Sequence, residues 1–175
     1  MPARVHCCGR RLPDHSGSMG SMTSRTVVVE RRIAAAQGTV WEALTDLRGM
    51  AQVLSGVSKT EVLTDGAFDV GTRWRETRRM FGKEATEEMW VTASEPPERY
   101  VAEAESHGTH YVSEWALRAD GPATTTVRMT FTAEPAGGFT GLLAKVLGGV
   151  GARAVSKAIA KDLDDVATVV EGRSN

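Results

Sequence analysis

The sequence predicts an α+β fold in which a seven-stranded antiparallel sheet wraps one long C-terminal helix, with two short helices after the first strand. Three observations predict it. The segment from Gly138 to Glu171 contains no Pro, and from Leu142 its apolar residues recur at helical spacing. Almost everything upstream reads as strand, punctuated by turn residues at intervals of roughly ten, the pattern of an antiparallel meander. An amphipathic helix of that length also needs a partner for its apolar stripe, and a curved sheet supplies one.

The helix carries two apolar sets, Leu142, Leu143, Val146, Leu147 and Val150, then Val155, Ile159, Leu163, Val166 and Val170. Spacings of three and four place each set on one face. A straight helix over the whole segment would run roughly 50 Å at about 1.5 Å per residue. Gly148, Gly149 and Gly151 predict a bend or interruption, because Gly is the poorest helix former after Pro. The stretch from Phe139 to Val150, weakened by Gly141, Gly148 and Gly149, reads either as a hinge at the mouth of an interior space or as a close approach of helix to strand.

The first strand begins at Arg25, with Val27, Val29 and Ile33 on one face and Glu30 and Arg32 on the other. Val40, Trp41, Leu44 and Leu47 mark the buried side of a short helix that ends at Asp46-Leu47-Arg48-Gly49, and a second spans 50–54. Strand two is 57–63. Turns at Thr64-Asp65-Gly66 and Val70-Gly71 lead to strand three at 72–80, and Phe81-Gly82-Lys83 turns the chain into strand four at 83–94. Strand five is 99–106, His107-Gly108 turns it into strand six at 109–118, and Ala119-Asp120-Gly121-Pro122 leads to strand seven at 124–133.

At 175 residues the chain is one domain by length, with a core too large to need staples. We divide it into a leader, residues 1–24, without hydrophobic periodicity, and a folded domain, residues 25–172. The leader lacks the apolar centre of a secretory signal, and Met19 and Met22 are alternative starts. Its His6, Cys7, Cys8 and His15 do not match zinc spacing. A net charge of −1 argues against the basic face that nucleic acid normally requires. No apolar run reaches 18 residues, so no membrane span is expected. The only cysteines, Cys7 and Cys8, are adjacent and make no disulfide framework, which suits a reducing cytoplasm. No cofactor and no metal site is expected, and no Ser/His/Asp, Cys/His or phosphate-loop pattern is present. Oligomeric state is not legible in the sequence.

Several stretches together carry a resemblance. Ile33-Ala34-Ala35 through Val40-Trp41 to Thr45-Asp46, Leu54-Ser55-Gly56-Val57 with Glu61-Val62-Leu63, and Val70-Gly71-Thr72-Arg73-Trp74-Arg75-Glu76 resemble the SRPBCC (START/birch-pollen-allergen-like) superfamily. Phe81-Gly82-Lys83, Val91-Thr92, Pro96-Pro97 and Trp115 continue the resemblance, which is greatest to the polyketide cyclase/dehydrase-like branch and covers about Arg25 to Glu171. These are structural landmarks, not a catalytic signature. Ser55 stands where the branch often has Pro, and the Gly-rich loop of the plant allergens is missing between strands two and three. The resemblance implies a helix-grip fold with a cavity between sheet and helix, because a strongly curved sheet cannot close completely on a rod.

On that expectation the lining follows from strand alternation. Trp74, Glu76 and Arg78 form the more apolar face of strand three. Met89 and Val91, Tyr100 and Ala102, Tyr111, Ser113 and Trp115, and Met129 and Phe131 follow on strands four to seven, with Leu143 and Leu147 from the helix. Glu76 and Arg78 read as a ligand-orienting or acid/base pair, or as a rim salt bridge. Glu84, Glu87 and Glu88 find cross-strand partners in Arg73, Arg75, Arg78 and Arg79. His107 and His110 flank a hairpin turn and so read as solvated. Trp41, Trp74, Trp90 and Trp115 are core residues that could also stack on an aromatic ligand.

Three functional classes are compatible with this reading. The first, which we adopt, is binding or carriage of a hydrophobic small molecule such as a polyketide, lipid or quinone. The second is a cyclase or dehydratase acting on a polyketide-like or aromatic molecule in the same space, which leaves the enzyme question open. The third is a stress-response or protein-interaction module.

Overall fold

Side chains alternate along each strand, so the pairing register decides which residues meet. The computed structural model of the chain describes residues 25–80, 83–135 and 149–173. In chain order its elements are β1 (Arg25–Ile33), α1 (Gln37–Thr45), α2 (Met50–Val53), β2 (Val57–Val62), β3 (Arg73–Met80), β4 (Lys83–Glu95), β5 (Arg99–Ser106), β6 (Thr109–Gly121), β7 (Thr124–Pro135) and α3 (Gly149–Arg173). The seven strands form one antiparallel sheet in the order β1-β7-β6-β5-β4-β3-β2. This is the predicted α+β, helix-grip architecture. No helix among the described residues is long and apolar enough to cross a membrane.

Three rows of directly paired residues define the inner face. Val29, Met129, Trp115 and Tyr100 make one. Val27, Phe131, Ser113, Ala102 and Val91 make the second. Ala133, Tyr111, Ala104, Met89, Trp74 and Val62 make the third. Against this side lies α3, which touches β1, α1 and α2. Its predicted stripe, Val155, Ile159, Leu163, Val166 and Val170, is buried throughout, as are Val40, Ala43 and Leu44 of α1.

Polar links fasten the layers. The Gln37 side chain donates to the Leu117 carbonyl at 3.0 Å, and the Thr125 hydroxyl donates to the Ala35 carbonyl at 2.8 Å, which pins the β1–α1 connection to β6 and β7. The backbone N–H of Ala34 donates to the Glu171 carboxylate at 2.9 Å, and Arg31 pairs with Asp164. Ser55, just before β2, gives both its backbone N–H and its hydroxyl to Asp165, at 2.9 and 2.7 Å. Three acidic residues of α3 are thus bound to β1, to the loop after it and to the α2–β2 turn.

Several expected boundaries shift. Turn composition at 119–122 predicts that β6 ends at Arg118, yet it runs to Gly121, with a register irregularity between Ala119 and Gly121. Asp120 is held in the strand because it accepts from Thr126 and pairs with Arg118. On the partner side, β7 extends past Ala133 to Pro135. The β5–β6 turn is as predicted: His107 and Gly108 have φ of 49° and 71°, the double left-handed geometry of a tight hairpin, which Gly accepts without penalty. Gly149 and Gly151, expected to break the helix, both lie within α3 at its start. The leader (1–24), the Phe81-Gly82 turn and positions 136–148, including Leu143, Leu147 and Gly148, lie outside the described residues.

The stripe of α3 carries a direct test. Leu163 is 0% exposed. Leu163→Ala is expected to lower unfolding free energy by about 2–5 kcal/mol in urea titrations, the usual cost of a large core truncation. Val28→Thr, at a site 45% exposed, should change it by less than about 0.5 kcal/mol.

Candidate ligand-binding site

The twelve described candidates, Trp74, Glu76, Arg78, Met89, Val91, Tyr100, Ala102, Tyr111, Ser113, Trp115, Met129 and Phe131, share the inner face of the sheet. The remaining two, Leu143 and Leu147, lie outside the described residues. Along this face the environment changes. Tyr100, Ala102, Val91, Trp115 and Met129 are buried, whereas Met89, Tyr111 and Phe131 are half-buried. Tyr111 and Phe131 stack with centroids 5.7 Å apart.

Aromatic side chains converge about Tyr100. It stacks on Trp115 at 6.0 Å and meets the edges of Trp41 at 5.8 Å and Phe68 at 5.1 Å. Trp41 comes from α1 and Phe68 from the loop between β2 and β3. Phe68 also lines a cleft of about 170 Å³ with Leu47 and Arg48 after α1 and with Val62 and Thr72. Phe68 therefore separates an outer cleft from the inner aromatic cluster.

The polar centre is Arg78. Its Nε donates to Glu76, its neighbour on the same face of β3, and its Nη1 donates to Asp162 on α3 at 2.7 Å. Glu76 and Asp162 are 7% and 4% exposed. Buried charge is tolerated only when paired, and two carboxylates share one guanidinium. The cluster ties sheet to helix beneath Gly56, where a Cβ would stand 3.6 Å from Asp162 and 3.7 Å from Arg78. Its charges reach Tyr100: burial, then Glu76, pushes the Tyr100 phenol well above its usual range, so it is a proton donor at neutral pH. Opposition between burial, which works against the charged form, and the two carboxylates leaves the Arg78 guanidinium raised and always charged.

Asp162 and Asp165 are shifted in opposite directions. Burial raises Asp162 despite Arg78, whereas Asp165, although partly desolvated, is lowered by its bonds to Ser55 and Lys161. Trp74 presents a different feature. It is 3% exposed, and its indole Nε1–H has no hydrogen-bond partner. Among the described residues only Arg31 Nε, Thr60 Oγ1 and Ser94 Oγ share that condition. A buried donor left unsatisfied costs about 1–3 kcal/mol, which an acceptor on a bound molecule would remove.

Two expectations are corrected. Arg78 does not pair with the glutamates of β4, because it points inward to Glu76 and Asp162. The strand pairing instead joins Arg73 and Arg75 to Glu88 and Arg79 to Glu84. Trp90 stands on the outer face under the Arg73 guanidinium, 5.5 Å from its ring centre, and so is not with the other tryptophans. His110 is held at 2.7 Å by Glu103 on that same outer face, away from the cluster. The sequence reading also omitted Asp162 and Phe68. Asp162 was detectable, since it falls three residues after Ile159 and four before Val166, inside the apolar stripe. Phe68 is a lone aromatic in a polar loop and carries no periodic signal.

A family profile described as polyketide cyclase/dehydrase and lipid transport matches residues 24–171. No curated protein matches the chain in sequence. Among solved structures, TTHA0849 from Thermus thermophilus is 21% identical, with a TM-score of 0.72 over 86% of this chain and 100% of that one. The Zhui aromatase/cyclase from Streptomyces sp. R1128 is 23% identical, with a TM-score of 0.72 over 87% of this chain and 97% of its own. A norcoclaurine synthase from Thalictrum flavum is 13% identical, with a TM-score of 0.70 over 89% and 99%. At these identities the likeness is one of fold.

The opposed aspartates make a pH test. A raised folded pKa means stability is gained as pH falls through it toward the unfolded value of about 3.9, so ionised Asp162 costs stability at pH 7. A lowered one means stability is present above that value and lost as pH falls through the folded pKa, as for Asp165. Asp162→Asn, which leaves Arg78 paired with Glu76, should melt no lower than the parent at pH 7. Asp165→Asn should melt lower at pH 7, and its deficit should close below about pH 4. Thermal melts from pH 7 to pH 3 check both.

Proposed function

The chain belongs to the polyketide cyclase/dehydrase and lipid transport family of the SRPBCC superfamily, and from that premise we propose that it binds a hydrophobic small molecule between the sheet and α3. The ligand is of polyketide, lipid or quinone type, and the binding unit is residues 25–172. The observation that carries this reading is the inner face itself. Three rows of apolar and aromatic side chains run across it, and the buried Trp74 N–H lacks a partner. Concave, apolar sites with few polar groups are how proteins hold such molecules.

One experiment separates a ligand space from a filled core. Ala104 is buried in the same row as Met89 and Tyr111. Ala104→Trp should keep the parent melting temperature and weaken Nile red binding at least tenfold, with the full chain and residues 25–175 behaving alike. A drop in stability of about 1–3 kcal/mol with unchanged dye binding would mean that the interior is packed solid, and would end this reading.

A second reading, catalysis of cyclisation or dehydration on such a ligand, is favoured by the convergence of Tyr100, Glu76, Arg78 and Asp162. Loss of water from a β-hydroxy carbonyl breaks one C–H and one C–O bond. A carboxylate takes the α-proton, and the neutral Tyr100 phenol protonates the departing hydroxyl. Tyr100→Phe should then lower turnover of a poly-β-carbonyl substrate about 10²–10⁴-fold while retaining Nile red affinity. Unchanged turnover would exclude Tyr100 as the acid.

A further inference from the structure

The charge balance of the inner face determines which polar end a ligand can bring. Among the described residues, the buried cluster holds one cation, Arg78, against two anions, Glu76 and Asp162. Glu87 lies directly across from Glu76 on the same face and is half-buried, which adds a third anion. On β1, Arg31 is answered by Asp164, and Arg25 stands exposed at the far end of its row. The guanidinium that would otherwise attract an anionic head is therefore already occupied, and the surplus charge beside it is negative. In a dry interior that surplus repels a carboxylate and attracts a cation.

A second observation points the same way. Tyr100, whose phenol senses Glu76, Arg78 and Asp162, is ringed by Trp41, Phe68 and Trp115. The faces of aromatic rings carry negative charge and favour cations. A third adds detail: the unpartnered Trp74 Nε1–H, two residues from Glu76 on the same face, is a donor and calls for an acceptor oxygen on the ligand.

We propose that the interior site selects amphiphiles with a protonated amine beside a hydroxyl or carbonyl oxygen, accepts neutral ones less well, and rejects free carboxylates. This rests on the ligand-binding reading above and names the class of molecule that the site takes. Glu76, Glu87 and Asp162 are the specificity-determining residues, and they act through charge.

Titration calorimetry with decylamine, decanol and decanoate at pH 7, each below its micelle concentration, tests it on the full chain. The expected order is decylamine, then decanol, then decanoate, with at least tenfold between the first and last. Glu87→Gln, at a half-buried position, should narrow that gap severalfold, and Glu76→Gln should narrow it further if its melt shows a folded protein. A decanoate affinity equal to or above that of decylamine, or a gap unmoved by Glu87→Gln, overturns the proposal while leaving ligand binding intact. Failure of all three probes to bind overturns the ligand-binding reading and this inference with it.

Discussion

The side-chain period of two, kept in register from β1 through β7, β6, β5, β4 and β3, puts Val29, Met129, Trp115 and Tyr100 side by side and Trp74 beside Met89. Everything the interior contains depends on that alignment. A slip of one residue on β3 would turn Arg73, Arg75 and Arg79 inward and Trp74 and Glu76 to solvent. The sheet tolerates local irregularity between Val91 and Ala93 on β4 and between Val57 and Lys59 on β2, but these shifts do not invert the faces on which Tyr100 and Trp74 lie.

Closure of the sheet on α3 has two components of different character. The apolar stripe from Val155 to Val170 supplies most of the affinity, because burying such side chains is worth about 1.5–3 kcal/mol each. It does not fix the position of the helix closely, since apolar contacts are non-directional. Direction comes from the carboxylates: Asp162 to Arg78, Asp164 to Arg31, Asp165 to Ser55 and Glu171 to the Ala34 N–H. Four such links along one helix leave little freedom to rotate or slide.

The same carboxylates connect architecture to function. Arg78 bridges sheet and helix, and the charges of its cluster act on the Tyr100 phenol, so the group that positions α3 also sets the polarity of the inner face. The family profile and the fold neighbours agree on the scaffold, and a scaffold alone does not decide function. On that scaffold this chain places two acids on one guanidinium, and aromatic rings around a phenol that stays protonated.

Local spacing in the sequence was enough to determine the order of elements, the hairpin at His107-Gly108, the α3 stripe and the inward set Trp74, Glu76, Arg78 on β3, because periods of two and about 3.6 are properties of neighbours along the chain. Even Asp162 was marked by its place between Ile159 and Val166, although not what it would bind. Only the tertiary structure decided that partner, since Arg78 and Asp162 are 84 residues apart and meet through the packing of α3 on the sheet. It likewise decided that Trp90 faces outward under Arg73 and that Phe68 leaves its loop to join Tyr100. Such pairings depend on where whole elements come to rest, and no periodicity within one element carries that information.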